Sequence, residues 1–299
     1  MMKSIQPLNP IHCEEKNSKS LLTPSQKENY SRDGFLVMND FLSDDICELL
    51  IDRSRKLIEN FDLDEMKVIF STKNSSQYKN LYFLDSGDKI RFFFEENAIN
   101  DKGELIRDKL LCINKIGHAL HDLDPVFNCV SRSHKIATLI HDLDILDPLL
   151  IQSMYICKQP HIGGEVGCHQ DNTYLHVKEQ PITGLWFALE DATIENGCLW
   201  AIPGGHKTPL KSRVIRDKDN NITTETYDHS PWPLDKLVPL EVKRGSIIVL
   251  HGLLPHMSKE NKSPKSRHAY TLHIASGRHE YAADNWLQRS KEMPFKGFL

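Results

Sequence analysis

Ile151-Gln152-Ser153-Met154-Tyr155-Ile156-Cys157 runs on to a Gly163-Gly164 turn, and the returning chain carries Cys168-His169-Gln170-Asp171. The glycines read as a turn between one strand and a returning strand. On an extended strand residues i and i+2 share a face, so His169 and Asp171 aim an imidazole and a carboxylate at one point while Gln170 turns away. Two histidines and one carboxylate on one face hold Fe(II) and leave three coordination positions open. The His-x-Asp spacing is common by chance, and it gains meaning only with a third ligand from elsewhere.

Short apolar or alternating runs recur downstream, at Gly184 to Glu190, Leu199 to Ile202, Ser246 to Leu250 and Ala269 to Ile274, parted by Gly, Pro and Asn turns. Upstream the chain reads as helical. Thr23-Pro24-Ser25-Gln26 combines an N-cap, a first-turn proline and a capping-box glutamine. Gly34 ends that helix, Phe35 to Met38 reads as a strand, and Ser43 caps a second helix whose stripe Ile46, Leu49, Leu50, Leu57 and Ile58 faces the core. Asn114 to Asp122, continuing to about Leu149, reads as a further helical region. The pattern predicts a mainly β fold with flanking helices around a double-stranded β-helix, a jelly-roll or cupin-like core whose two sheets enclose a cavity. Residues 1–22 are polar and aperiodic and are expected to form a mobile N-terminal tail; with no clear linker after them, 23–299 are expected to form a single domain.

The chain of 299 residues carries a formal charge of -4 with both signs well mixed, which gives no electrostatic reason to expect nucleic acid or an anionic membrane as partner. No run approaches the roughly 18 apolar residues of a membrane span, and neither a secretory signal nor a Ser-Lys-Leu type ending is visible. An intracellular, cytoplasmic protein with a small-molecule substrate is expected. The seven cysteines are scattered, odd in number and without a C-x-x-C pair, as suits reduced thiols.

Two histidines, His251 and His256, follow the apolar run Ile247 to Leu250, and physics alone leaves either as the third ligand. Further on, Arg267 opens an apolar run. Through Asp33-Gly34-Phe35, Gly87-Asp88-Lys89-Ile90-Arg91-Phe92-Phe93-Phe94-Glu95, Asn114-Lys115-Ile116-Gly117-His118-Ala119-Leu120, Gln152-Ser153-Met154-Tyr155 and the stretch from Glu190 to Trp200, the chain resembles the phytanoyl-CoA dioxygenase family of Fe(II)- and 2-oxoglutarate-dependent oxygenases. In that family the second metal histidine lies eleven residues before an arginine that binds 2-oxoglutarate, the separation of His256 from Arg267 here. The resemblance therefore implies that His169, Asp171 and His256 are the catalytic metal ligands and that His251 plays a supporting part. It implies a 2-oxoglutarate pocket of Lys115, Met154, Trp186, Ser258 and Arg267, with O2 as oxidant and ascorbate as reductant. The implied reaction oxidatively decarboxylates 2-oxoglutarate to succinate and CO2 while hydroxylating an acyl-CoA or another small metabolite. The residue types suit these parts. A guanidinium pairs bidentately with a carboxylate, Lys115 adds charge, Ser258 a donor, and Met154 and Trp186 an apolar wall.

Glu195-Asn196-Gly197 and Pro203-Gly204-Gly205-His206 resemble family turns, with Gly205 standing where the family has serine. His206 is expected to hold its loop. Lys207, Lys211, Arg213, Arg216 and Lys218 could receive the phosphates of an acyl-CoA, but their mixing with Asp217 and the lack of a glycine-rich cradle predict a solvated loop. Cys168 is expected to be a packing residue. Two other classes fit parts of the pattern: a zinc-dependent hydrolase, since two histidines and a carboxylate also suit catalytic Zn(II), and a catalytically silent binding protein on the same fold. Arg267 weighs against the first, and the complete ligand set against the second.

Overall fold

The computed structural model describes residues 20–63, 69, 80–100, 102 and 104–298. The expected tail lies outside them as far as residue 19; where the description begins, Asp142 accepts hydrogen bonds from the N–H groups of Leu21 and Leu22 at 2.6 and 2.8 Å, and Leu22 is buried. Helix α1 (Pro24–Asp33) starts on the expected capping box, with Gln26 N donating to Thr23 Oγ1 at 3.2 Å and Thr23 N to Gln26 Oε1 at 2.9 Å. Gly34 ends it at φ 80° and leads into β1 (Phe35–Met38). Ser43 caps α2 (Asp44–Asn60), which buries Cys47, Leu50, Ile51, Ser54 and Ile58. Leu49 does not belong to that stripe and is 41 % exposed, because a turn of about 100° per residue carries it off the face shared by its neighbours.

After α3 (Leu81–Leu84) come β2 (Ile90–Phe94) and β3 (Ile113–His118). The helix expected from Asn114 is thus a strand as far as His118. It lies between β2 and β4 (Pro148–Ile156), with Ile116 opposite Phe92 on one side and Tyr155 on the other. A strand inside a sheet with both faces covered loses the alternation that marks a strand in sequence, so Ile113, Ile116 and Leu120 mimic a helical spacing. Helix begins only at α4 (Leu120–Leu123) and continues in α5 (Pro125–Ser131) and α6 (His134–Asp142).

The remaining strands are β5 (Val166–His169), β6 (Thr183–Ala188), β7 (Leu199–Ala201), β8 (Ser212–Arg216), β9 (Ile222–Thr226), β10 (Val238–Leu240), β11 (Ile247–His251), β12 (His256–Ser258) and β13 (Ala269–Ser276). They build an antiparallel sheet of order β1-β11-β6-β13-β4-β3-β2 and a smaller one of order β10-β7-β12-β5, with β8 and β9 as a separate hairpin. This is the jelly roll. Alternation divides the labour of the large sheet. Tyr155, Phe187, Tyr270 and Leu272 pack with Leu50, Phe127 and Ile140 of the helices, whereas Met154, Trp186, Thr271 and His273 line a cavity between the sheets. Each fully buried aromatic of the helix-covered face contributes on the order of 2 to 3 kcal/mol, so the helices fix the sheet whose other face carries the chemistry.

Candidate metal centre

β5 and β12 are neighbours in the smaller sheet, and their register sets His169 opposite His256 with ring centroids 4.4 Å apart. β5 ends at His169. Asp171 opens a 3-10 turn (Asp171–Thr173), which corrects the expectation that the pair shares one strand face. Asp171 O accepts from the N–H groups of Tyr174 and Leu175, and Asn172 N donates to Gly252 O, so the backbone swings toward the loop after β11. Gln170 secures the bend, donating to Leu253 O at 2.9 Å and accepting from Lys211 N at 3.0 Å. The carboxylate still meets the imidazoles: Asp171 Oδ1 lies 3.4 Å from His169 Nε2 and 3.6 Å from His256 Nε2, and one potential ligand atom from each residue falls within 4.8 Å of the others.

Both imidazoles are held in one tautomer. His169 Nδ1 is 2.8 Å from Gly167 O and His256 Nδ1 is 3.0 Å from Leu254 O. A carbonyl only accepts, so each Nδ1 carries the proton and each Nε2 presents a lone pair beside Asp171. Burial pushes His256 down to about 4, leaving it neutral at pH 7. For His169 burial opposes the charged form, but the hydrogen bond and charge of Asp171 outweigh it and raise the pKa. Asp171 is buried, which alone would favour its protonated form; the charges of His256 and His273 and the His169 hydrogen bond hold it well below the usual carboxylate range. A buried carboxylate flanked by two oriented imidazole lone pairs fits a divalent transition metal.

His273 is missing from the expected set. Its Nε2 lies 3.4 Å from Asp171 Oδ2, on the side away from the other two histidines. Same-face counting from Arg267 reaches Thr271 and His273, both of which line the cavity. Gly184, on the neighbouring strand, leaves the carboxylate its room: a β-carbon there would stand 3.1 Å from Asp171 Oδ2.

Arg267 is 2 % exposed and lies just ahead of β13. Its Nε donates to Gly197 O at 3.2 Å, its guanidinium carbon sits 5.0 Å from the Trp186 ring centroid, and its buried Nη1 has no hydrogen-bond partner among the described residues. Burial pushes its pKa down to about 10, so it stays cationic at neutral pH. The Glu195-Asn196-Gly197 turn is its frame. Asn196 accepts from Thr193 N at 2.7 Å and donates to Asp191 O at 2.8 Å, and Gly197 adopts φ 84°. Lys115, pushed down to about 7 by burial, holds Nζ 3.8 Å from Met154 Sδ. Ser258 is buried on β12. Lys115, Met154, Trp186, Ser258 and Arg267 line the same cavity of about 1120 Å³ as His169, Asp171 and His256.

His251 does not line it. Its Nδ1 accepts from Leu253 N at 3.1 Å, its ring lies 4.9 Å from that of His206, and burial pushes it down to about 4. His206 Nε2 donates to Ser31 O at 3.2 Å, tying its loop to α1. At Gly205 a β-carbon would come within 2.7 Å of Pro255 Cδ, a contact that accounts for glycine in place of serine. The basic segment is a solvated loop only at its ends: strand β8 runs through its middle, and its three central cations are paired. Lys211 pairs with Asp228 at 2.8 Å, Arg213 with Asp284, and Arg216 donates to Leu84 O at 2.7 Å and Trp286 O at 3.1 Å. Lys207 and Lys218 are exposed. Cys168 is half-buried beside His169, and burial pushes its thiol up to about 11.

The model of the phytanoyl-CoA dioxygenase (PhyH) family matches residues 30–269. The chain is similar to phytanoyl-CoA dioxygenase of Arabidopsis thaliana, 48 % identical over 90 % of this chain and 95 % of that one. It is also similar to phytanoyl-CoA dioxygenase domain-containing protein 1 of Bos taurus, 42 % identical over 92 % of this chain and 97 % of that one. Among solved structures, it shares its fold with the non-heme alpha ketoglutarate dependent carbocyclase SnoK from nogalamycin biosynthesis (TM-score 0.63, 16 % identity, 93 % of this chain and 97 % of that one). EctD from S. alaskensis with 2-oxoglutarate and 5-hydroxyectoine is similar as well (TM-score 0.61, 18 % identity, 92 % and 83 %).

Proposed function

We propose, because this chain belongs to the phytanoyl-CoA dioxygenase family, that His169, Asp171 and His256 hold Fe(II) and that Arg267 anchors 2-oxoglutarate beside them. As a member of that family the chain is a dioxygenase, an oxidoreductase. What carries the residue assignment is a single juxtaposition: a buried arginine whose Nη1 has no partner among the described residues lines the cavity into which two imidazole nitrogens and a carboxylate converge.

When bound, Fe(II) supplies the O2 chemistry that couples oxidative decarboxylation of 2-oxoglutarate, giving succinate and CO2, to hydroxylation of a substrate C–H bond. The chain's own residues bind, orient and keep dry. Arg267 offers the far carboxylate of 2-oxoglutarate a charge-assisted pair, Lys115 adds a second cation when protonated, and Ser258 a hydroxyl donor. Met154 and Trp186 wall off water, and the Nδ1–H bonds to Gly167 O and Leu254 O keep both ligand nitrogens aimed. Ascorbate serves as an external reductant. Lys211 and the β8 cations Arg213 and Arg216 are committed to Asp228, Asp284 and backbone carbonyls, which favours a small metabolite over an acyl-CoA as the substrate.

The test is anaerobic addition of 2-oxoglutarate to the protein loaded with Fe(II). A visible metal-to-ligand charge-transfer band is expected, and on admitting air, labelled 2-oxoglutarate yields succinate, a turnover lost in Asp171→Ala. A protein that binds zinc tightly and shows no such band with Fe(II) is a hydrolase candidate instead.

A further inference from the structure

Gln152 has no part in the centre described above. It lies on β4, 5 % exposed, and its side chain lines the cavity. Among the described residues its amide makes no side-chain hydrogen bond, and it is not one of the sealed unsatisfied polar groups: it opens onto the cavity that it lines, free to meet a ligand. Its place is fixed by register. Gln152 is opposite His273, and His273 is opposite Gly184, so the three form one row across the large sheet at the level of Asp171. The next cavity-facing row holds Met154, Thr271 and Trp186 and leads toward Arg267. β3 flanks β4 on the side away from β13, and its His118, opposite Ser153, meets the rings of Phe83 and Trp286 at 5.5 and 5.2 Å; these two rings stack at 4.6 Å and line the same cavity as Gln152.

Resting on the dioxygenase reading, we propose that Gln152 is a specificity-determining residue whose amide hydrogen-bonds the prime substrate between the metal centre and the Phe83–Trp286 wall. The chemistry of the row defines the substrate class. A primary amide both donates and accepts and carries no charge, so it matches a neutral carbonyl, amide or hydroxyl group; a buried ion would need an opposite charge in its place. The stacked aromatic pair takes a flat, ring-sized apolar body. The substrate is therefore a small neutral molecule with one such polar group on a ring or similarly compact apolar frame, oriented by Gln152 with its reacting carbon toward the metal centre.

Benzamide is a suitable probe, since it has a ring for the wall and an amide complementary to that of Gln152. The full-length protein is loaded anaerobically with Fe(II) and 2-oxoglutarate, and benzamide binding is followed by ligand-observed NMR while the charge-transfer band is recorded on the same sample. Wild type should bind benzamide, and Gln152→Leu should weaken binding about tenfold, the worth of one buried hydrogen bond, with the band unchanged. Gln152→Glu, which keeps the size and removes the donor, should weaken it similarly and carries the test if the leucine variant does not fold. Unchanged benzamide binding in the variants, or no binding to a wild-type protein that shows the band, overturns the assignment of Gln152. Absence of the band in wild type overturns the dioxygenase reading and this inference with it.

Discussion

Arg267 Nε donates to the carbonyl of Gly197 at 3.2 Å, so the turn before β7 and the residue ahead of β13 act as one unit although they are far apart in the chain. Gly197 serves that unit with a left-handed backbone and with close packing: a β-carbon there would meet Lys259 O at 2.7 Å.

Substituting Gly197→Ala should therefore move the guanidinium without touching the metal ligands. We expect the KM for 2-oxoglutarate to rise roughly tenfold, with Fe(II) affinity retained; Arg267→Ala should raise it further, on the order of a hundredfold, because a charge-assisted pair is lost outright. Steady-state kinetics with calorimetric Fe(II) titration distinguishes the two. Equal losses of metal and 2-oxoglutarate affinity would contradict the division of labour.

Gly184→Ala places a methyl group 3.1 Å from Asp171 Oδ2 and 3.7 Å from His273 Cδ2. The neighbours must give way by a few tenths of an ångström in a packed interior, which costs about 1 to 3 kcal/mol. Fe(II) should bind roughly tenfold or more weakly while circular dichroism stays that of the wild type. An unchanged metal affinity would show that the carboxylate has freedom the packing denies it.

Lys115, brought down to about 7 by burial, is mostly cationic below that pH and mostly neutral above it. 2-Oxoglutarate is a dianion across this range, so its KM should rise several-fold as pH increases from about 6 to about 8. Lys158, also pushed down to about 7, donates to Gly164 O, and comparison with Lys115→Met isolates the contribution of Lys115. That variant should show a higher and flatter KM profile. A wild-type profile that the substitution leaves intact would assign the titration elsewhere.

Gly205→Ser restores the family's serine but drives a β-carbon to within 2.7 Å of Pro255 Cδ, one residue before His256. We expect a loss of 1 to 3 kcal/mol in stability, roughly, seen as a lower midpoint in urea, together with weaker Fe(II) binding. A neutral outcome would mean that Pro255 can retreat without dragging the ligand behind it.

Much of the fold could be read from the chain because β4, β6, β11 and β13 carry dense apolar runs and because Thr23 and Ser43 cap their helices as expected. β3 could not, since Ile113, Ile116 and Leu120 happen to repeat at helical spacing inside a sheet covered on both faces. In the site, spacing brought His169 and Asp171 together for a reason the structure replaces: tertiary hydrogen bonds from Asn172 to Gly252 and from Gln170 to Leu253, not strand alternation, bring the carboxylate round. Family resemblance, rather than periodicity, separated His256 from His251. Gln152 and His273 needed register, which no local pattern in the chain supplies.

The carboxylate of Asp171 faces two ways, Oδ1 toward His169 and His256 on the smaller sheet and Oδ2 toward His273 on the larger. A cation seated on the first side would thus rivet one half of the sandwich to the other through a single side chain. Catalytic loading and mechanical integrity would then be one event: a protein short of metal would lose its clamp as well as its reactivity, and its melting temperature should rise when Fe(II) is added, the measurement that checks it.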